Sequence, residues 1–256
     1  MTGRARHPYL DASDPIAFAH RGHADGVAEN SAEAIDAAVS AGYGYVETDV
    51  QATRDGVAVL FHDDTTERLL GEPGRIADRD WTDLSTRRLV GGGRIVRLDE
   101  VLSDHPRLRL NIDAKTDDVV RPMGDAIKGA LDRVCAASFD TRRTRALRQR
   151  LGSRLCWSPA MAEIARIWAG GWGVPVGGRG APCLQVPPTW RSIPIVTPRF
   201  IKAAHDRGAA IHVWTVNDPL EMHALLDLGV DGLMTDDAPA LKEVMTSRGF
   251  WSGFLH

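Results

Sequence analysis

Ile16–Asp63 reads IAFAHRGHADGVAENSAEAIDAAVSAGYGYVETDVQATRDGVAVLFHD, a strand, a helix and a hairpin in succession with titratable side chains where the apolar runs end. IAFAH stops at His20 and passes at once into Arg21, Gly22 and a loop, the pattern of a strand that delivers a residue to the rim of a sheet. From Asn30 onward, Ile35, Ala38 and Val39 recur at helical spacing. Asn30 reads as the N-cap, Glu33 completes a capping box, and Gly42 or Gly44 supplies the stop. In YVETDVQAT, Tyr45, Glu47, Asp49 and Gln51 alternate with Val46, Thr48 and Val50, so a period of two puts both carboxylates on one face. Two acids on one strand face repel each other, and a bound hard cation such as Mg²⁺ or Ca²⁺ removes that repulsion. The Asp55-Gly56 turn then reverses the chain and returns His62 towards the carboxylates. Two imidazoles and two acids thus converge on one rim, the raw material of acid–base chemistry beside a cation.

Once these residues are set side by side, a family likeness emerges. His20-Arg21-Gly22, Glu29-Asn30, the helix, Glu47-x-Asp49-Val50, Thr53-x-Asp55-Gly56 and His62-Asp63 resemble, in order, the glycerophosphodiester phosphodiesterases. Further on, Leu98–Leu102 (LDEVL), His212–Asn217 (HVWTVN) and Gly232–Asp236 (GLMTD) are similar to later motifs of the same family, so the likeness runs from about residue 16 to 245. It implies a metal-dependent hydrolysis of glycerophosphodiesters to glycerol 3-phosphate and an alcohol such as choline, ethanolamine or glycerol, with His20 and His62 as the acid and base. The attacking group it implies is the substrate's own glycerol hydroxyl, through a cyclic phosphate. One divalent cation, Mg²⁺ or Ca²⁺, is expected on Glu47, Asp49 and Asp113. The third of these positions is usually glutamate in the family.

Asp113 lies in LRLNIDAK, residues 108–115, where alternation puts Asn111, Asp113 and Lys115 on one face. The likeness assigns Lys115 to phosphate and Trp214 to a wall of the substrate site. Arg21 joins Lys115 because a phosphodiester anion calls for positive partners. The other seven histidines, His212 among them, read as structural or exposed.

The remaining chain alternates strand and helix, the signature of a parallel sheet. Strands starting near 16, 45, 108, 133, 153, 183, 210 and 231 number eight, which predicts a (β/α)8 TIM barrel with its chemistry at the carboxyl ends of the strands. At 256 residues, 43% hydrophobic and 25% charged, the chain is read as a single domain, 1–256. Residues 64–97, rich in turns and carrying Gly91-Gly92-Gly93, read as an insertion after the hairpin that the family likeness places over the barrel mouth. The three glycines lack the surrounding residues of a phosphate loop and read as a flexible loop.

A net charge of −3 offers no electrostatic case for nucleic acid. Residues 1–15 lack the apolar core of a secretory signal and no apolar run nears 18 residues, so a cytoplasmic protein without stable membrane insertion is expected. Cys135, Cys156 and Cys183 are odd in number and far apart, and read as buried or neutral bystanders. The tail at 249–255, GFWSGFL, is expected to cover a seam of the barrel. The oligomeric state is not legible. Two other readings stay open: a lysophospholipase D or sphingomyelinase D-like enzyme, which needs an apolar groove, and a non-catalytic ligand-binding barrel.

Overall fold

Residues 7–174 and 180–251 are described by a computed structural model. The chain opens with β1 (Ile16–His20), α1 (Ala32–Ser40), β2 (Tyr45–Ala52) and β3 (Ala58–Leu60). Three short helices follow, α2 (Glu67–Leu70), α3 (Trp81–Leu84) and α4 (Leu98–Asp104), then β4 (Arg109–Ala114), α5 (Val120–Ile127), β5 (Val134–Ala137) and α6 (Thr141–Leu151). Next come β6 (Cys156–Trp157), α7 (Met161–Gly170), β7 (Cys183–Val186) and a small hairpin of β8 (Thr189–Trp190) and β9 (Ile193–Pro194). The chain closes with α8 (Pro198–His205), β10 (Ala210–Val213), α9 (Pro219–Leu228), β11 (Gly232–Thr235) and α10 (Ala238–Ser247).

Eight of these strands are parallel neighbours in the order β6-β5-β4-β2-β1-β11-β10-β7, with β3 paired antiparallel to β2 outside that path. The ring is nearly closed: among the described residues, β6 and β7 stand at its two ends without a ladder between them. The expected (β/α)8 barrel is therefore what the chain forms. Strand β6 is shorter than the sequence pattern of 153–160 suggests, because Gly152–Arg154 forms a 3-10 turn and Pro159, which has no N–H, cannot extend a ladder.

Two apolar layers hold the barrel. Outside it, Val46, Leu110, Ile112, Leu184, Ile211 and Leu233 face the helices and are buried completely. At about 25 cal/mol per Å² of apolar surface, this layer is the main favourable term of the fold. Inside it, Phe18, Tyr45, Met234 and all three cysteines fill the lumen, and Tyr9 and Leu10 plug its base.

The insertion has its own small core, in which Leu69, Ile76, Leu84, Leu89 and Ile95 pack against Val59 and Phe61. Its three glycines all take left-handed backbone, and Gly93 passes so close to Ser31 that an added Cβ would lie 2.8 Å from that side chain. The insertion stands beside the barrel mouth, with none of its described residues lining the central cavity. Among the described residues no helix is long and apolar enough to cross a membrane. At the chain's end, Trp251 packs edge-on against Tyr43 at 5.0 Å between ring centroids; residues 252–255 of the apolar tail lie outside the described residues.

Candidate active site

At the carboxyl ends of the strands, one cavity is lined by His20, Arg21, Glu47, Asp49, His62, Asp113, Lys115 and Trp214, which are all eight of the residues singled out in the sequence. β1 supplies the first of them through a tight local turn. Arg21 takes left-handed backbone with φ 62°, its N–H donates to Glu47 O at 2.8 Å, and its own carbonyl accepts from Asn30 N at 2.9 Å. Gly22 follows at φ 87°, where an added Cβ would lie 2.6 Å from the backbone of Ala34. No other residue type passes there without displacing α1. His20 is thus held at the rim and Arg21 is turned inward.

Asn30 has a different role from the one its position suggests. Ser31 is the N-cap of α1, its hydroxyl accepting from Ala34 N at 3.0 Å. Asn30, buried and left-handed at φ 55°, instead donates from Nδ2 to Asp49 at 3.0 Å and accepts from Thr48 Oγ1 at 2.7 Å. Glu33 likewise makes no capping box, and accepts from Arg94 N of the insertion at 2.8 Å.

Both imidazoles are tethered by Nδ1 to a carboxylate. His20 Nδ1 lies 2.6 Å from Asp236, and Asp236 is fixed in turn by Asn217 at 3.1 Å. His62 Nδ1 lies 2.8 Å from Asp63, which Arg68 grips with two hydrogen bonds of 2.6 and 2.8 Å. This arrangement presents Nε2 of each ring for proton transfer, and that of His20 faces Glu47 at 3.4 Å. Burial alone would lower the His20 pKa, but the Glu47 charge and the Asp236 hydrogen bond hold it above its ordinary value. Arg68 pulls Asp63 down to about 2, against the effect of its partial burial.

The three carboxylates crowd one another in a buried space. Glu47, Asp49 and Asp113 are all buried, and strand register sets Asp49 directly opposite Asp113. Desolvation followed by repulsion from Asp49 pushes Glu47 up to about 8. Desolvation also raises Asp113 to about 6, with Lys115 pulling the other way. Lys115 Nζ sits 3.4 Å from both Asp49 and Asp113, and Arg21 Nε is 3.0 Å from Asp49. Glu47 Oε2 and Asp113 Oδ1 nonetheless remain buried without a hydrogen-bond partner among the described residues. Unsatisfied carboxylate oxygens with a surplus of acid are the donor set of a hard divalent cation, so these residues fit one. Glu29, His62 and Asp63 also approach one another, but the Arg68 guanidinium already neutralises that group.

Several residues of the site escaped the sequence reading. Phe139 stands edge-on to Trp214 at 5.6 Å and makes a second aromatic wall, although 60% of it is exposed. Gln185 pairs across the floor at 2.7 Å with Asn111, which strand alternation already set on the face of Asp113 and Lys115. Asp236 lay inside a quoted motif, yet its hold on His20 spans 216 positions and no local pattern announces it.

Comparison with known proteins agrees with this geometry. A family model described as the glycerophosphoryl diester phosphodiesterase family matches residues 20–240. The chain is 38% identical over 258 residues to a Mycobacterium tuberculosis protein named "Probable glycerophosphodiester phosphodiesterase 2", covering 96% of each. It is 26% identical over 255 residues to a glycerophosphodiester phosphodiesterase of Caldanaerobacter subterraneus, covering 91% of this chain and 99% of the relative. In fold it resembles an Oleispira antarctica phosphodiesterase solved with the product sn-glycerol-3-phosphate, with a TM-score of 0.74 at 18% identity over 91% of this chain and 97% of the other.

Proposed function

Because the chain belongs to the glycerophosphoryl diester phosphodiesterase family, we propose that it hydrolyses water-soluble glycerophosphodiesters to glycerol 3-phosphate and an alcohol. The observation that carries this reading is the single cavity in which two carboxylate-tethered imidazoles, three buried acids and two basic side chains face the same space. The family and the unsatisfied oxygens of Glu47 and Asp113 together support a divalent cation held by Glu47, Asp49 and Asp113. When bound, such a cation supplies neutralising charge to a non-bridging phosphoryl oxygen.

Everything else in the mechanism belongs to the chain's own side chains. Arg21 and Lys115 orient the phosphodiester and offset the charge that builds on its oxygens. His20 enters as the imidazolium, favoured by Glu47 and Asp236 on either side, and protonates the departing alcohol oxygen. His62, steadied by Asp63, takes the proton from the attacking glycerol hydroxyl, and the same pair in reversed roles admits water to open the cyclic phosphate. Phe139 and Trp214 enclose the glycerol or headgroup carbon. We read residues 1–256 as one catalytic domain that includes the insertion, whose Arg68 braces Asp63 and Glu29.

A second reading has an observation of its own. The exposed Phe139, with Trp214, Pro159 and Met161, gives the cavity an apolar side, which suits a single-chain lysophospholipid. Release of glycerol 3-phosphate from glycerophosphocholine, beside release of choline from lysophosphatidylcholine, separates the two. Turnover of the soluble diester supports the proposal, and turnover of the lysolipid alone overturns it.

A further inference from the structure

Three cysteines scattered over 49 positions of sequence meet in the lumen of the barrel. Cys135 and Cys156 are register partners on β5 and β6, and Cys183 reaches them from β7. All three are free thiols with no exposure, and their sulfurs lie within 4.8 Å of one another, Cys135 and Cys183 being 3.6 Å apart. Zinc bound tetrahedrally at about 2.3 Å from each sulfur spaces its sulfurs by about 3.8 Å, so the trio needs movements of about 1 Å at most.

A candidate fourth donor is buried on the neighbouring strand of the barrel. His212 on β10 is fully buried with its ring centroid 4.9 Å from that of Phe18, and neither ring nitrogen has a hydrogen-bond partner among the described residues, though neither lies within 4.8 Å of all three sulfurs. An imidazole left this way in a protein interior is costly, and a metal–nitrogen bond removes the cost. Tyr9 seals the base of the lumen beside the trio with a hydroxyl that is likewise buried and unpaired. Above, the Asn111–Gln185 pair separates the cysteines from the carboxylates, and Gln185 Nε2 is 3.9 Å from Cys135 Sγ.

We propose that Cys135, Cys156 and Cys183, with His212 drawn in as the fourth donor when the ion binds, form a second, wholly buried metal site that takes one soft cation, zinc. Thiolate and imidazole donors select such an ion over Mg²⁺ or Ca²⁺, so this site and the carboxylate site do not compete. Each thiol that coordinates gives up its proton to solvent as the ion enters, and imidazole binds neutral, leaving the complex with one negative charge. The location gives the ion a structural task. It bridges β6 and β7, which share no ladder among the described residues and are joined across the seam by contacts such as Gln185 N to Ser158 Oγ at 3.1 Å and Cys183 Sγ to Trp157 O at 3.7 Å.

The test uses the full chain, unfolded and refolded with excess zinc or cobalt and then exchanged exhaustively into Mg²⁺ buffer. Zinc at about one per chain is expected, with a higher melting temperature than protein refolded in Mg²⁺ alone. Cobalt should give an intense thiolate-to-cobalt charge-transfer band with tetrahedral visible bands. Cys156→Ser and His212→Gln should each lose the stoichiometric ion. If either variant fails to fold, the wild-type metal content and cobalt spectrum decide alone. Zinc far below one per chain, a cobalt spectrum without the thiolate band, or a mass lower by two hydrogens from a Cys135–Cys183 disulfide would each overturn the site.

Discussion

Asp236→Asn removes one charge and almost no volume, and its consequence can be worked through. Asp236 touches His20 Nδ1 at 2.6 Å and does not line the cavity, so its effect on the reaction passes chiefly through the imidazole. A hydrogen bond between charged groups contributes about 1.5–3 kcal/mol, and about 1.4 kcal/mol is tenfold in rate. Because the Asp236 side chain is 56% exposed, solvent screens it and the lower end applies, which is a fall of about 10- to 30-fold in kcat. KM should stay within a factor of about 2, since no substrate contact is lost. The pH profile gives the sharper readout. Asp236 helps to hold the His20 pKa above its ordinary value, so removing its charge lowers that pKa. If His20 acts as the acid, the alkaline limb of kcat/KM must move to lower pH. Glycerol 3-phosphate release, followed with a coupled dehydrogenase from pH 5 to 10, measures both. A variant with wild-type kcat and an unmoved alkaline limb would refute the role given to His20.

Further outcomes follow from the same structure. His62→Ala should lower kcat by about 10²- to 10⁴-fold with an unchanged melting temperature, read by turnover and circular dichroism. In cation-free protein, the Glu47 pKa is raised to about 8, so its stabilising proton is fully held below the ordinary carboxylate range and lost as pH climbs towards 8. The melting temperature should therefore fall from about pH 5 to pH 8, and added Mg²⁺ should restore more of it at pH 8 than at pH 5; Glu47→Gln should flatten the slope while abolishing turnover. Gly22→Ala forces a Cβ to 2.6 Å from the Ala34 backbone at φ 87° and should cost about 2–4 kcal/mol, or about 5–10 °C in melting temperature. Gly56→Ala, at φ 79° with open space around it, carries only the left-handed cost and should lose about 1 kcal/mol. Ser31→Ala should lose about 1 kcal/mol of cap stability in a denaturant titration.

The parts of the molecule legible in the sequence were those governed by local period. Glu47 and Asp49 share a face because a strand repeats every two residues, and the Asp55-Gly56 turn brings His62 back because a hairpin conserves register. The eight strands were visible for the same reason, and CLQV was placed even within a glycine- and proline-rich segment. What was not legible depends on partners far apart in the chain. Asn30 was a good cap by composition, but Asp49 and Thr48 compete for its side chain, and Ser31 caps instead. The cysteines read as bystanders because spacing along a chain says nothing about three neighbouring strands of a closed lumen. The insertion's place beside the mouth was equally hidden, since its apolar residues look the same whether they seal a barrel or pack on one another.

The most direct test of the central claim is glycerol 3-phosphate release from glycerophosphocholine by the purified chain with Mg²⁺, Ca²⁺ or EDTA, beside His20→Ala. Turnover that requires one of the cations, vanishes in EDTA and collapses in His20→Ala is the predicted result. Turnover undiminished by EDTA or by His20→Ala, or none from any glycerophosphodiester by a folded protein, would contradict it.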